Sequence, residues 1–247
     1  MTGGTMHTDP DRRRAQRQLA VLAAAVVLLV AAVGLVAVRV LGHGRPEARH
    51  PTPAPRPVAA APGRPAVIWR EVAGVRLPFS AAHGPRVTDH GRAAGYSRTR
   101  QGAALSAVQV LARTSATAGP EVYRPVLAGQ VVGANATVLS QRLDERYQQL
   151  RHEPGLTVTD GQPIPGNNAT VAGYLLDGYD EQAGTALVEV LMGAPDLTPG
   201  QVVAFALSLQ WTDGDWRVLA PPNGEWGALA RLLPSRPAGT LDYGQVG

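Results

Sequence analysis

The sequence predicts an α+β protein carried on a single N-terminal transmembrane helix and a Pro-rich linker. Three observations point there. An uncharged run, LAVLAAAVVLLVAAVGLVAV, extends from Leu19 to Val38; at 1.5 Å per residue, about twenty such residues match a bilayer core of about 30 Å. Between Arg45 and Pro65 a proline recurs every few residues without apolar periodicity. Beyond that, apolar residues recur at helical spacing up to about Leu150 and alternate from about Thr170 onward, so helices come before strands.

The expected boundaries are a basic tail over 1–18, a transmembrane helix over 19–41, a disordered linker over 42–66, a folded domain over 67–233 and a loose tail over 234–247. A cleaved signal peptide is the rival reading of the apolar run, since Arg12, Arg13, Arg14 and Arg17 precede it. The run exceeds the roughly 7 to 15 residues of such a segment, and no small-x-small cleavage site follows. Arginines flank both ends, so orientation rests on the short N-terminal tail and the bulky C-terminal part, which place the N-terminus inside and the domain outside. The linker is a stiff spacer near 3 Å per residue.

Charge divides the same way. Residues 1–66 hold 9 Arg against 3 acids, a net +6, while residues 67–247 hold 14 Arg against 16 acids, a net −2. The folded part therefore lacks the basic footprint that nucleic-acid binding needs. With no cysteine in the chain, disulfides, thiolate metal sites and a Cys nucleophile are excluded.

Within the domain, Val67 to Pro78 begins with a β-rich run carrying Trp69, broken at Gly74 and Pro78. His83, Asp89 and His90 follow in a polar loop; their spacing matches no helical face, and exposed loop residues are the reading preferred over a metal site. Thr99 caps a helix over Gln101 to Arg113, with Ala104, Leu105, Val108, Leu111 and Ala112 on one face. Pro120 and Glu121 open a second helix that ends near Gly129. Asn135 or Thr137 caps a third, whose stripe is Leu139, Leu143, Tyr147 and Leu150, stopped by Pro154-Gly155.

Four strands are expected at Thr170–Tyr179, Thr185–Met192, Val202–Trp211 and Trp216–Ala220. The last two are joined through Asp213-Gly214, a pair suited to a type I′ turn. Thr212 then faces Asp215, Trp211 faces Trp216 and Leu209 faces Val218, so the two indoles pack together; a carbohydrate platform is the functional alternative for them. Glu225 to Leu233 resembles a short terminal helix.

A helical half followed by an antiparallel meander that closes on Trp211-Thr-Asp-Gly-Asp-Trp216 resembles the NTF2-like (cystatin-like) cone over Ser97 to Ala220. With the anchor and linker, it is similar to the VirB8-like and TcpC-like components of bacterial conjugation and type IV secretion. The stretches LPFSAAHGP and GYSRTRQGAALSA are similar to uncharacterised actinobacterial membrane proteins of that architecture. The resemblance implies three helices packed on a curved antiparallel sheet and a scaffold without chemistry of its own. Enzymes of that fold would carry their site inside the cone, where Tyr174, Asp177, Tyr179 and Glu189 are the candidates, Glu189 having an alternative partner in Arg217. No histidine accompanies them and no Ser-His-Asp order, phosphate loop or HExxH occurs. No catalytic, cofactor-binding or metal-ligating residue is therefore assigned.

The expectation is a non-enzymatic, extracytoplasmic scaffold of the cell envelope, with a ligand-binding or sensory exodomain as the alternative. Its expected partners are the membrane, through Leu19 to Leu41, and other proteins of an envelope complex. Homo-oligomerisation stays open, and no cofactor or nucleic acid is expected.

Overall fold

A hairpin leads into the domain, and its turn explains where its strands begin. Ala73 and Gly74 have φ of 48° and 82°, the left-handed pair of a type I′ turn, and they join β1 (Val67–Val72) to β2 (Val75–Ser80). Pro78, expected to break the run, lies within β2 opposite Trp69. Val72 and Val75 flank the turn as the hydrogen-bonded pair, so Trp69 and Pro78 form a non-bonded pair, where no N–H is needed toward β1.

A computed structural model describes residues 67–244, so the expected tail, transmembrane helix and linker lie outside the described residues. Among the described residues no helix is long and apolar enough to cross a membrane. The described part is α+β, three helices packed with a mostly antiparallel sheet.

After a small hairpin of β3 (Val87–Asp89) and β4 (Arg92–Ala94), helix α1 runs from Arg100 to Arg113. Its cap is as the pattern predicts, the Thr99 hydroxyl accepting the Gly102 N–H at 3.1 Å. Its burial goes further than the single apolar face predicted. Ala103, Ala107 and Val110 are buried as deeply as Ala104 and Val108, and so are Ser106 and Gln109. The reason is tertiary: the main sheet covers one side of α1, while β2 and β4 cover the other. Buried polar groups on that second side bind backbone carbonyls, Gln109 donating to that of Pro78 in β2 at 2.8 Å and Arg113 to that of Gly91 in the β3–β4 turn at 2.7 Å.

Helix α2 (Pro120–Gln130) begins at the predicted proline; Gly119 before it has φ of 81° and lies against the Gln162 backbone, with no room for a Cβ. Val131–Val132 form a two-residue strand, β5. Helix α3 (Ala136–Arg151) buries the predicted stripe of Leu139, Leu143, Tyr147 and Leu150, but Asn135 makes no side-chain cap bond.

The main sheet contains β6 (Thr170–Asp180), β7 (Thr185–Gly193), β8 (Val202–Thr212) and β9 (Asp215–Leu219) in sequence order, with β5 added in parallel beyond β9. The β8–β9 turn has Asp213 and Gly214 at φ of 53° and 77°, and the predicted pairs, Thr212–Asp215, Trp211–Trp216 and Leu209–Val218, are all present. Strand β6 carries irregularities between Val171 and Gly173 and between Leu176 and Gly178, which bend a strand locally.

Two C-terminal expectations are corrected. The helix expected over Glu225–Leu233 is a single 3₁₀ turn, Trp226–Leu229, followed by β10 (Ala230–Leu233). Strand β9 is five residues against the eleven of β8, so the first half of β8 keeps an unpaired edge, and β10 satisfies its backbone groups. The tail expected to be loose is docked as far as Tyr243. Leu241 exchanges two backbone hydrogen bonds with Tyr174, at 2.8 and 3.0 Å. Tyr243 is buried with its ring 4.8 Å from Tyr174 and edge-on to Trp69.

Candidate functional site

The alternation of β7 decides which predicted residues share a face. Val188 and Val190 join the core around α1, whereas Leu191 packs with Val202 and Ala204 in a separate small cluster. Glu189 falls between the two valines and therefore points to the face opposite α1. There it is 5% exposed and meets the Arg231 guanidinium at 2.5 Å. Its partner is the arginine of β10, not Arg217, which lies 3.9 Å from Asp213 on its own hairpin.

Tyr174 and Tyr179 are on the α1 side, as their pairing with Val190 and Ala186 requires. Tyr174 is buried against Tyr243, and burial pushes its phenol up. Tyr179 packs 6.0 Å from Trp216, donates its hydroxyl to the Arg98 carbonyl at 3.1 Å and lies under the Arg100 guanidinium. Burial and then the Glu181 charge raise its pKa as well. Asp177 is the extra residue of the second β6 irregularity and is exposed. The two carboxylates considered as an acid and base pair are thus on different surfaces, and no shared substrate atom could reach both.

What the structure does bring together is a cleft of about 200 Å³ where the first turn of α1 meets β6 and the docked tail. Arg100, Gln101, Tyr174, Leu176, Asp177 and Leu241 line it. One cation and one carboxylate on opposite walls suit contact with polar or peptide groups.

The histidines separate. His90 sits beside Asp89 at the tip of the β3–β4 hairpin, both strongly exposed. His83 is partly buried, its Nδ1 3.0 Å from Ser97 Oγ and 3.2 Å from Thr99 Oγ1, while those two oxygens are 2.7 Å apart. Thr99 Oγ1 also accepts the Gly102 N–H, so the ring nitrogen and the two hydroxyls form one hydrogen-bonded cluster at the start of α1. Burial and then the Arg86 charge lower the pKa of His83. Among the described residues no group of three or more His, Asp or Glu is placed to hold a metal ion.

The two indoles of the β8–β9 hairpin meet at 5.4 Å and 75°. Trp216 is fully buried and donates Nε1–H to the Ser97 carbonyl at 3.0 Å. Trp211 lies on the rim, with Arg98 over it at 5.9 Å. With one indole in the core, the pair offers no open platform.

Sequence reasoning missed Asp215. Its carboxylate accepts the N–H of Gly95 at 2.9 Å, of Tyr96 at 3.1 Å and of Trp216 at 3.0 Å, and so fastens the hairpin to the loop before α1. Two of those partners are about 120 positions away, and no local pattern marks such a contact.

Over residues 8–64 the chain is similar to the family described as the carboxypeptidase Rv3627c-like, N-terminal domain. No curated protein and no solved structure matches it. Residues 39–236, most of the chain and nearly all of the domain just described, match the family described as a domain of unknown function, DUF8175, and the chain belongs to that family.

Proposed function

We propose that this chain is a single-pass membrane protein whose domain lies outside the cytoplasm as an NTF2-like scaffold, holding other envelope proteins together without chemistry of its own. The observation that carries the reading is the burial of α1 on nearly every side. In an NTF2-like cone the ligand or substrate would enter the space between helix and sheet, and here Ala104, Val108, Tyr174 and Trp216 belong to the packed core of that region. The rim cleft, about 200 Å³, falls below the roughly 300 Å³ at which small-molecule pockets usually begin. Contacts on the outer surface are what remain.

The apolar run at 19–38 and the proline-rich 42–66 fit an anchor and a spacer. The similarity of 8–64 to the N-terminal domain of another family supports reading that stretch as a module separable from the folded domain. Tethering confines a domain to a thin shell beside the bilayer and raises its effective concentration toward membrane partners. A conjugation or secretion apparatus of the VirB8-like or TcpC-like kind is the setting we favour, on architecture alone.

In a host where deletion gives a measurable defect, conjugative transfer first, Asp177→Asn combined with Glu189→Gln should complement, and a secreted form lacking 19–38 should not. A folded but inactive carboxylate variant, or full activity of the untethered domain, would overturn the scaffold reading.

A further inference from the structure

Strand β1 is an open edge. Among the described residues only β2 pairs with it, and Ile68, Trp69, Arg70 and Glu71 are all exposed. The parity set by the turn sends the backbone groups of Ile68, Arg70 and Val72 toward β2, so the N–H and C=O of Val67, Trp69 and Glu71 point outward. A free row of that kind, on a strand rich in β-branched and aromatic residues, is a template for another strand. β1 has neither proline nor bulge to blunt it.

We propose that β1 joins two copies of this chain, paired as antiparallel edge strands about a two-fold axis at Trp69. Parity and charge select the register. Residues opposite one another must both point their backbone groups outward or both inward, so the axis passes through a residue and not between two. An axis at Arg70 sets Arg70 against itself, and one at Glu71 sets Glu71 against itself, like charges directly opposite. An axis at Ile68 puts Pro65, which has no N–H, opposite the outward groups of Glu71. With the axis at Trp69, the indole meets its own copy, Ile68 meets Arg70 and Val67 meets Glu71, and no like charges face. Trp69 is already steadied from one side by Tyr243.

The chain outside the structure also fits a second copy. Its N-terminal part ends at Ala66, immediately before β1, and in this register the two entry points lie four residues apart, about 13 Å. Residues 42–66 at about 3 Å each reach about 75 Å, so both linkers can run to one membrane. Only this last argument rests on the anchored reading.

The natural chain has no cysteine, so a single introduced thiol reports cleanly. In the full-length chain with Trp69→Cys, mild oxidation should turn most of the protein into a covalent dimer, because Cα atoms of such a pair lie about 5.5 Å apart, within disulfide reach. Leu187→Cys, exposed on the face opposite α1, should stay monomeric. Since Trp69→Cys removes the indole, Val67→Cys with Glu71→Cys, set opposite by the same register, is the second readout. Adding Glu71→Pro removes an outward N–H without touching the bonds to β2; it should abolish the Trp69→Cys cross-link and halve the sedimenting mass while the melting temperature holds. Cross-linking no greater than with Leu187→Cys in both readouts, indifference to Glu71→Pro, or capture of a different protein alone would overturn the proposal. The cross-link is read both in membranes and on purified chain in detergent, and protease protection reports the anchor separately, so a failed anchor and a failed pairing give different results.

Discussion

Two of the molecule's hairpins share nearly the same turn, and their tryptophans have opposite fates. Ala73-Gly74 and Asp213-Gly214 both take the left-handed pair of angles, and both hairpins carry tryptophan close to the turn, Trp69 in one and Trp211 with Trp216 in the other. In β8–β9, Trp216 is fully buried and bonded to the Ser97 carbonyl; in β1–β2, Trp69 remains 40% exposed. The turn makes the hairpin, but distant contacts decide how deeply its tryptophan is buried. Asp215 receives three N–H groups and locks Trp216 and its hairpin to the loop before α1, whereas β1–β2 is held through the buried Val75, Leu77 and Phe79 of β2 and leaves its indole edge-on to Tyr243.

Removing the two indoles should give the largest contrast. Trp216→Ala is expected to cost about 3 to 5 kcal/mol, the range for deleting a large core aromatic, and Trp69→Ala about 1 kcal/mol or less. Denaturant unfolding of the two variants measures both; equal losses would mean that the hairpins are equivalent after all. Next comes the latch. Asp215→Ala leaves the buried N–H groups of Tyr96 and Trp216 and the half-buried one of Gly95 without their acceptor and should cost about 2 to 3 kcal/mol, with faster hydrogen exchange at Gly95 and Tyr96. Unchanged exchange there would show that the carboxylate is not what holds the loop.

The smallest effect is expected from pH. The pKa of His83 is lowered in the folded state from its ordinary 6.5, so the unfolded chain takes up the proton first. Its contribution is complete above about pH 6.5 and is lost as pH falls through the lower folded value. A melting temperature that drops from pH 7 to pH 5, with a shallower drop in His83→Asn, is the expected pattern. Identical slopes for the two proteins would remove His83 as the cause.

Much of this was readable along the chain because it depends on neighbours in sequence. The Thr99 cap and the stripe of α3 rest on contacts three or four residues apart, and the Trp211–Trp216 register comes from the Asp213-Gly214 turn between them. The anchor reading of Leu19 to Val38 likewise needs only the composition of one stretch, and it lies outside the described residues. Asp177 and Glu189 show where such reading ends. Alternation puts residues on two faces without saying which face will be covered, and only the position of α1, with β10 and Arg231 arriving from the far end of the chain, sent Glu189 to the opposite side. The docking of Leu241 and Tyr243 and the triple acceptance by Asp215 were likewise decided in three dimensions. An edge strand, an apolar slot or a bare N–H exists only once the rest of the domain has folded, and a short polar or aromatic residue carries no local mark of the distant backbone group it will satisfy.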